Sequence, residues 1–238
     1  GAQAIAAMAY GTESIGAVQR IVGPGNAYVA AAKKLVSADV AIDFVAGPSE
    51  IVIVANDGNP QWIAADMLAQ SEHDVDARAV LLTTSTKLAN AVQHEVGVQL
   101  AGLSTADVAG ESIRINGAIV ICESEESAFR LVNLIAPEHL SLYDPSQLDR
   151  VRNAGSVFIG QYSTEAAGDY ASGPNHILPT VGYATIRGGL SVNDFVKVIT
   201  TQQLSKQALD ALGATVTTLA RAEGLEAHAR SVEMRLNG

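Results

Sequence analysis

The stretch "EIVIVANDGNPQWIAADMLAQ", residues 50–70, decides the fold class of this chain. It begins with a run of β-branched residues, which is typical of a buried strand. Asn59 can then cap a helix and Pro60 suits the first helical position, so a helix is predicted to begin there. A strand followed directly by a helix is the unit from which α/β folds are built.

The same alternation recurs on both sides of this stretch. Helical patterns follow Ser85 and Ser124, each of which can cap a helix. We therefore predict an α/β layer fold with a largely parallel sheet. The further runs that predict strands are residues 40–46, 78–84, 117–123 and 155–160.

The chain changes character after about Leu190. Two helical segments, around residues 205–212 and 215–223, precede "GLEAHARSVEMRL", and together they predict a small helical C-terminal unit. Gly188 and Gly189 predict a hinge before it. Residues 162–189 show no regular pattern, and long loops of this kind in compact domains are usually functional or disordered.

Composition excludes several classes of protein. The net charge of −10 opposes binding to nucleic acid, and no apolar run approaches the ~20 residues of a transmembrane helix. A single cysteine, Cys122, excludes an intrachain disulfide and fits a reducing, cytoplasmic compartment. The chain starts without Met and with helical spacing from its first turn, so we expect it to begin inside a larger protein.

Gln70 and His73, in "LAQSEHDVDA", are the first candidate ligands of a metal. Three positions apart at a helix end, their side chains share one face. Imidazole nitrogen and amide oxygen can both bind metal ions. A solvated helix end with a few charges fits the same spacing.

Glu138 and His139, in "APEHLSLYD", are adjacent acid and base side chains. Pro137 disfavours helix at Ala136, so the pair is predicted to lie at a chain reversal. Such a pair suits general acid–base catalysis, although an ordinary polar turn would have the same sequence.

Four further stretches carry polar residues, either beside glycines or in predicted helices with polar or charged neighbours. In "IVGPGNAYV", Asn26 lies near a predicted helix N-terminus and can present an amide to a polar ligand, or act only as a cap. His94 lies among polar helical neighbours and is predicted to be a surface histidine. The remaining candidates are Asp169 and His176 in the irregular segment, and Glu223 and His228 near the C-terminus.

Seven stretches together resemble the histidinol dehydrogenase family, in that family's order and over nearly the whole chain. They match the C-terminal part of such an enzyme. They are "VGPGNAYVAAAKKLV" (22–36), "AIDFVAGPSEIVIVA" (41–55), "DMLAQSEHD" (66–74), "NLIAPEHL" (133–140), "GDYASGPNHILPT" (168–180), "GLSVNDFVK" (189–197) and "EGLEAHARSVEMRL" (223–236).

The resemblance implies a pair of incomplete Rossmann-like domains with small extra units, assembled as an intertwined homodimer. Residues 1–48 would be the end of one Rossmann-like domain. Residues 49–190 would be the second part of the other and carry most of the active site. Residues 191–238 would form the helical unit that completes the dimer and the site.

The resemblance also implies the roles of individual residues. Glu138 and His139 would be the catalytic acid–base pair, and Gln3 and Asn26 would contact NAD. The zinc ligands, which also contact the substrate, would be Gln70, His73, Asp169 and His228, with His228 supplied across the dimer interface. Further substrate contacts would be Ser49, His176 and Glu223.

The implied reaction is the zinc-dependent oxidation of L-histidinol to L-histidine by NAD, through the aldehyde, at the end of histidine biosynthesis. Two alternatives are a non-catalytic or split piece of such an enzyme, and a zinc hydrolase on an α/β scaffold. A hydrolase needs a zinc-bound water and no NAD site, so NAD binding that depends on Asn26 would count against it.

Overall fold

The computed structural model describes residues 1–237 and divides the chain into two compact units. Unit 1 is Gly1–Asp194 and unit 2 is Phe195–Gly238. No helix in the described part of the chain is long and apolar enough to cross a membrane.

Unit 1 alternates strands and helices along most of its length. Its strands are β1 (Arg20–Ile21), β2 (Ala41–Ile42), β3 (Glu50–Val54), β4 (Arg78–Thr83), β5 (Ala118–Ile121), β6 (His139–Leu142) and β7 (Ser156–Ile159). Its α-helices are α1 (Ala2–Tyr10), α2 (Ala27–Val36), α3 (Pro60–Ser71), α4 (Thr86–Leu100), α5 (Ala106–Asn116), α6 (Glu125–Ile135) and α7 (Glu165–Tyr170). Short 3₁₀ turns are Pro145–Arg150, Tyr183–Thr185 and Val192–Phe195.

Five parallel strands form the main sheet of unit 1, in the order β5-β4-β3-β6-β7. Every residue of the central strand β3 is buried. Ile51 and Ile53 pack in one cluster with α3, α4 and α5, whereas Val52 and Val54 pack in a second cluster with α6. Helices therefore cover both faces of a parallel sheet, and the predicted α/β fold is confirmed.

A two-stranded parallel sheet, β1-β2, lies earlier in unit 1. Its own small core joins Ile5 of α1 and Ile21 of β1 to Val36 and Val40 at the end of α2. The predicted boundaries at residues 48 and 190 stay a prediction.

Unit 2 contains two helices, α8 (Lys206–Ala222) and α9 (Glu226–Leu236). The two predicted segments before α9 are one continuous helix, α8. Gly213 lies within α8 without interrupting it, and α9 packs closely against the helix at this position. A Cβ at this position would lie 2.5 Å from Cδ1 of Leu236.

One strand in unit 1 was not predicted, and one local prediction was wrong. Residues 139–142, for which no strand was predicted, form the buried strand β6, because pairing with β3 and β7 outweighs the polar character of His139 and Ser141. The reversal itself is real and lies just before, where Ala136 takes a left-handed conformation. The segment read as irregular contains the helix α7.

Asp66 on α3 carries a stability prediction. Burial raises the pKa of its carboxyl to about 6. Because the folded state keeps this proton to higher pH than the unfolded state, stability falls as pH rises from about 4 to about 6. We expect Asp66→Asn to stabilise the fold at pH 7 by on the order of 1–2 kcal/mol, and not at all at pH 4. Thermal unfolding at both pH values tests this, and an equal gain at both would contradict it.

Candidate functional site

A cleft of 360 Å³ opens in unit 1 at the amino ends of β3 and β6. This volume suits a small-molecule ligand. Loop residues Pro24 and Gly25, together with Phe44, are among the residues that line it. Six of the residues singled out from the sequence line it together: Ser49, His73, Glu138, His139, Asp169 and His176.

The backbone of Glu50 fixes both members of the buried Glu138–His139 pair. The Glu50 N–H donates to Oε2 of Glu138 at 3.0 Å. The Glu50 carbonyl oxygen lies 3.3 Å from Nδ1 of His139, so it accepts a hydrogen bond from the Nδ1–H tautomer. In that tautomer Nε2 carries the lone pair. One strand residue thus orients a carboxyl group and an imidazole at the floor of the cleft.

Glu138 has the acidity expected of a group that exchanges protons near neutral pH. Its side chain is 5 % exposed, and burial raises its pKa to about 7. The segment before β7 packs directly against the backbone of Glu138. Gly155 permits this contact, since a Cβ there would lie 2.6 Å from the Glu138 carbonyl oxygen. A carboxyl group held in this way can give or take a proton at pH 7.

His139 points its free ring nitrogen at Asp169. Nε2 lies 3.6 Å from Oδ1 of Asp169, which is longer than a hydrogen bond, and it has no hydrogen-bond partner among residues 1–237. Burial lowers the pKa of the imidazole, but the surrounding carboxylates, Asp169 first among them, outweigh burial and raise it. In turn, the contact with His139 lowers the pKa of Asp169.

Asp169 reaches the cleft because α7 packs tightly on the sheet. A Cβ on Gly168 would lie 2.5 Å from the ring of Phe158, so only glycine allows this approach. The same ring lies 5.8 Å, between centroids, from the ring of His139. Phe158 therefore supports both the helix that carries Asp169 and the imidazole beside it.

Two side chains that line the cleft, His73 and Asp169, have the chemistry of metal ligands, as does Gln70 on α3. His73 Nε2 lies 3.9 Å from Oδ2 of Asp169. Gln70 is fully buried, and neither atom of its amide has a hydrogen-bond partner in the described part of the chain. Within that part, no three His, Cys, Asp or Glu side chains converge as a metal site. The available set is thus one imidazole, one carboxylate and one amide, which fits an ion that takes nitrogen and oxygen ligands.

Helix ends add to the charge preference of this region. His73 follows the last residue of α3 by two positions, and Asp169 lies in the last turn of α7. The carboxyl end of a helix carries partial negative charge, which favours cations. Two such ends at one cleft favour a positively charged ligand or a metal ion.

Five predicted site residues do not line the cleft, and the first of them, Gln70, lies on α3 three positions before His73. Gln3 lies on α1 and does not line the cleft. Asn26 is the cap of α2, where its side-chain oxygen accepts hydrogen bonds from Tyr28 N and Val29 N. Glu223 and His228 belong to unit 2, at the end of α8 and within α9. Their predicted roles stay predictions, whereas His94, on α4, is exposed as expected.

Sequence reasoning missed two buried acids. Glu50 lies at the start of β3, directly after the predicted site residue Ser49. A charged residue at the start of a buried apolar run could have indicated a functional position. Glu165 is 4 % exposed and lines a second cavity with His73 and Asp169, with no partner for either carboxyl oxygen among residues 1–237. Burial raises the pKa of Glu165 to about 8. Glu165 and Asp169 are four positions apart, a spacing that places them on one face only if the segment is helical, as it is in α7.

Known proteins resemble this chain over its whole length. A protein-family model described as histidinol dehydrogenase matches residues 1–236. The histidinol dehydrogenase of Streptococcus mutans is 52% identical, over 99% of this chain and 56% of that protein. That of Brucella abortus strain 2308 is 51% identical, over 100% of this chain and 56% of that protein.

A solved structure agrees with these sequence matches. The crystal structure of histidinol dehydrogenase from Elizabethkingia anophelis superposes with a TM-score of 0.94 at 42% identity. It covers 99% of this chain and 55% of that one. The chain thus spans about half the length of the curated relatives it matches.

Proposed function

The chain belongs to the histidinol dehydrogenase family, and from this premise we propose that it carries out the NAD-linked oxidation of L-histidinol to L-histidine with zinc. The observation that supports this best is the buried Glu138–His139 pair, held by one strand residue at the floor of a cleft. Around the same cleft lie nitrogen and oxygen donors suited to a metal ion.

The proposed zinc site uses Gln70, His73 and Asp169 of unit 1, with His228 supplied by a second copy in a homodimer. The unpartnered, fully buried amide of Gln70 supports this assignment, since such groups normally have a partner. When bound, zinc would hold and orient the substrate, and NAD would accept hydride.

In the first oxidation, His139 is the proposed base. With Nδ1–H donating to the Glu50 carbonyl, the lone pair on Nε2 faces the cleft and can accept the substrate's hydroxyl proton. The carbon that carries this hydroxyl loses hydride at the same time, which gives the aldehyde. Imidazole suits this step because its ordinary pKa lies close to neutrality.

The second oxidation needs water, and Glu138 is the proposed group that activates it. Its carboxylate takes a proton from water as the oxygen adds to the aldehyde carbon, which gives the anion of the hydrate. Loss of a second hydride from this anion to a second NAD would yield the carboxylic acid, so four electrons leave the substrate in all. A carboxyl pKa of about 7 suits a group that must take up and release protons in turn.

The remaining proposed contacts orient substrate and cofactor. Ser49 and His176 line the cleft, and Glu223 of unit 2 is the proposed third substrate contact. Asn26 and Gln3 are the proposed contacts to NAD. Asn26 marks the N-terminus of α2, where backbone N–H groups and the helix dipole favour an anionic group such as a pyrophosphate.

Formation of NADH on addition of L-histidinol tests the proposal. The full chain as the cell makes it, loaded with zinc, is expected to form two NADH for each histidine produced. Chelation of the metal is expected to abolish the reaction, and readdition of zinc to restore it. NADH formation that ends at the aldehyde, or that does not require histidinol, would contradict the proposed function.

A further inference from the structure

A buried ion pair, Lys33–Asp43, lies in the first part of unit 1, outside the catalytic cluster. Lys33 on α2 is 2 % exposed and Asp43, just after β2, is 3 % exposed. The two side chains contact each other directly. A fully buried pair in so small a sheet-and-helix element calls for an explanation, because buried pairs contribute little net stability.

The pair holds both polar groups of one residue, Gly23. Lys33 Nζ donates to the Gly23 carbonyl oxygen at 2.9 Å. The Gly23 N–H donates to Oδ2 of Asp43 at 2.8 Å. Gly23 has a φ of 122°, a conformation that side-chain-bearing residues rarely adopt. The pair therefore fixes this residue in one unusual backbone conformation.

The residues directly after Gly23 form one wall of the cleft. Pro24 and Gly25 line it, and Asn26 caps α2, the helix that also carries Lys33 two turns later. The loop of residues 23–26 is thus fixed at both ends. The ion pair holds Gly23, and the capping hydrogen bonds hold Asn26 at the start of α2.

The pair also sets the position of Phe44, on the same side of the cleft. The other oxygen of Asp43, Oδ1, accepts a hydrogen bond from Phe44 N at 2.7 Å. Lys33 Nζ lies 5.8 Å from the centroid of the Phe44 ring. One ion pair therefore contacts both the loop and Phe44, which line the cleft together with Glu138 and His139.

We propose that Lys33 and Asp43 are positioning residues that hold the loop 23–26 and Phe44 in the conformation that binds the dinucleotide. This inference rests on the proposed function, since it assigns the loop to NAD. Its physical basis is that a fully hydrogen-bonded ion pair selects one backbone conformation where an apolar pair of similar size would allow several. The pair then governs affinity for NAD and not the chemical steps at His139.

The decisive variant is Lys33→Met/Asp43→Leu, in the full chain as the cell makes it, loaded with zinc. It removes both charges together and leaves no unpaired buried ion. We expect its unfolding temperature to stay within a few degrees of the parent and the Gly23 amide to exchange hydrogen faster. Its Kd for NAD, measured by calorimetry, should rise at least tenfold, whereas kcat at saturating NAD and histidinol should stay within twofold.

Two further variants make the test specific. Lys34→Met removes a charge from the neighbouring, exposed position of α2 and should change none of these quantities. Lys33→Met/Asp43→Asn keeps an acceptor for the Gly23 N–H, so its loss of NAD affinity should be smaller. This variant also serves if the apolar double variant does not fold.

The outcomes separate this inference from the proposed function. If the parent binds NAD and folded variants bind it equally well, the positioning role is wrong and the proposed function stands. The role is also wrong if exchange of the Gly23 amide is unchanged, or if kcat falls together with affinity. If the parent itself does not bind NAD, the proposed function fails as well.

Discussion

Replacing His139 by alanine is expected to reduce histidinol turnover by a factor of about 10²–10⁴, the range for loss of a general base. Its Nε2 carries the lone pair when Nδ1–H donates to the Glu50 carbonyl oxygen, so it can accept the proton. Zinc content should remain that of the parent, since the proposed ligands are other residues. Steady-state turnover and metal analysis on the same preparation measure both quantities.

His94→Ala is the matched control for this prediction. His94 lies exposed on α4, so the same substitution there should change neither turnover nor zinc content. A loss of zinc in His139→Ala that matches its loss of turnover would place His139 among the metal ligands. Unchanged turnover with full zinc content would remove it from the reaction altogether.

The sequence predicted β3 and β4 well because each is an apolar run after its first residue. In "EIVIVA" and "RAVLLTT" the strand residues that follow Glu50 and Arg78 are largely buried. β6 was not predicted, because its sequence, "HLSL", is short and alternates polar with apolar residues. It begins at the candidate residue His139, and its pairing with β3 and β7 cannot be read from the local sequence.

The same limit applies within the candidate site. Adjacency of Glu138 and His139 already indicated acid–base chemistry. The group that orients them, the Glu50 backbone, lies 88 and 89 positions away in sequence, and no local spacing encodes that contact. Glu165 was not predicted as a site residue for a different reason. It comes close to the cluster because it shares the short helix α7 with Asp169, and the sequence of this segment has no apolar periodicity that predicts a helix.

Asn26 shows that a local signal can be correct and still leave function open. The sequence offered a cap or a ligand contact, and the structure has the cap, with hydrogen bonds of 3.1 and 3.2 Å to its oxygen. The NAD contact stays a prediction because capping engages only the oxygen of the amide. Loss of NAD binding in a variant at this position therefore has to be separated from loss of the cap.

The second large effect is expected at the metal ligands. His73→Asn should weaken zinc binding by at least roughly tenfold, a loss already typical of residues that only support a ligand. His94→Asn, which removes an exposed imidazole, should leave zinc affinity unchanged. Competition with a chelating dye measures both variants, and equal losses in the two would undo the assignment of His73.

Gln70 permits a sharper test, because its two roles act on stability in opposite directions. Its buried amide has no protein partner among residues 1–237, and a buried polar group without one costs about 1–3 kcal/mol. Met has a similar volume and no amide, so Gln70→Met should fit the same space. The metal-free protein, prepared by chelation, should therefore unfold at a higher temperature in this variant than in the parent.

Addition of zinc should reverse that order. Zinc binding to the folded state raises the unfolding temperature in proportion to the logarithm of its affinity, and the variant has one ligand fewer. The increase caused by zinc should thus be clearly smaller in Gln70→Met than in the parent. A variant that is less stable without metal and equally stabilised by zinc would show that the Gln70 amide is satisfied within the fold and is not a ligand. Opposite signs in the two conditions cannot arise from a change in packing alone, because packing would alter both by the same amount.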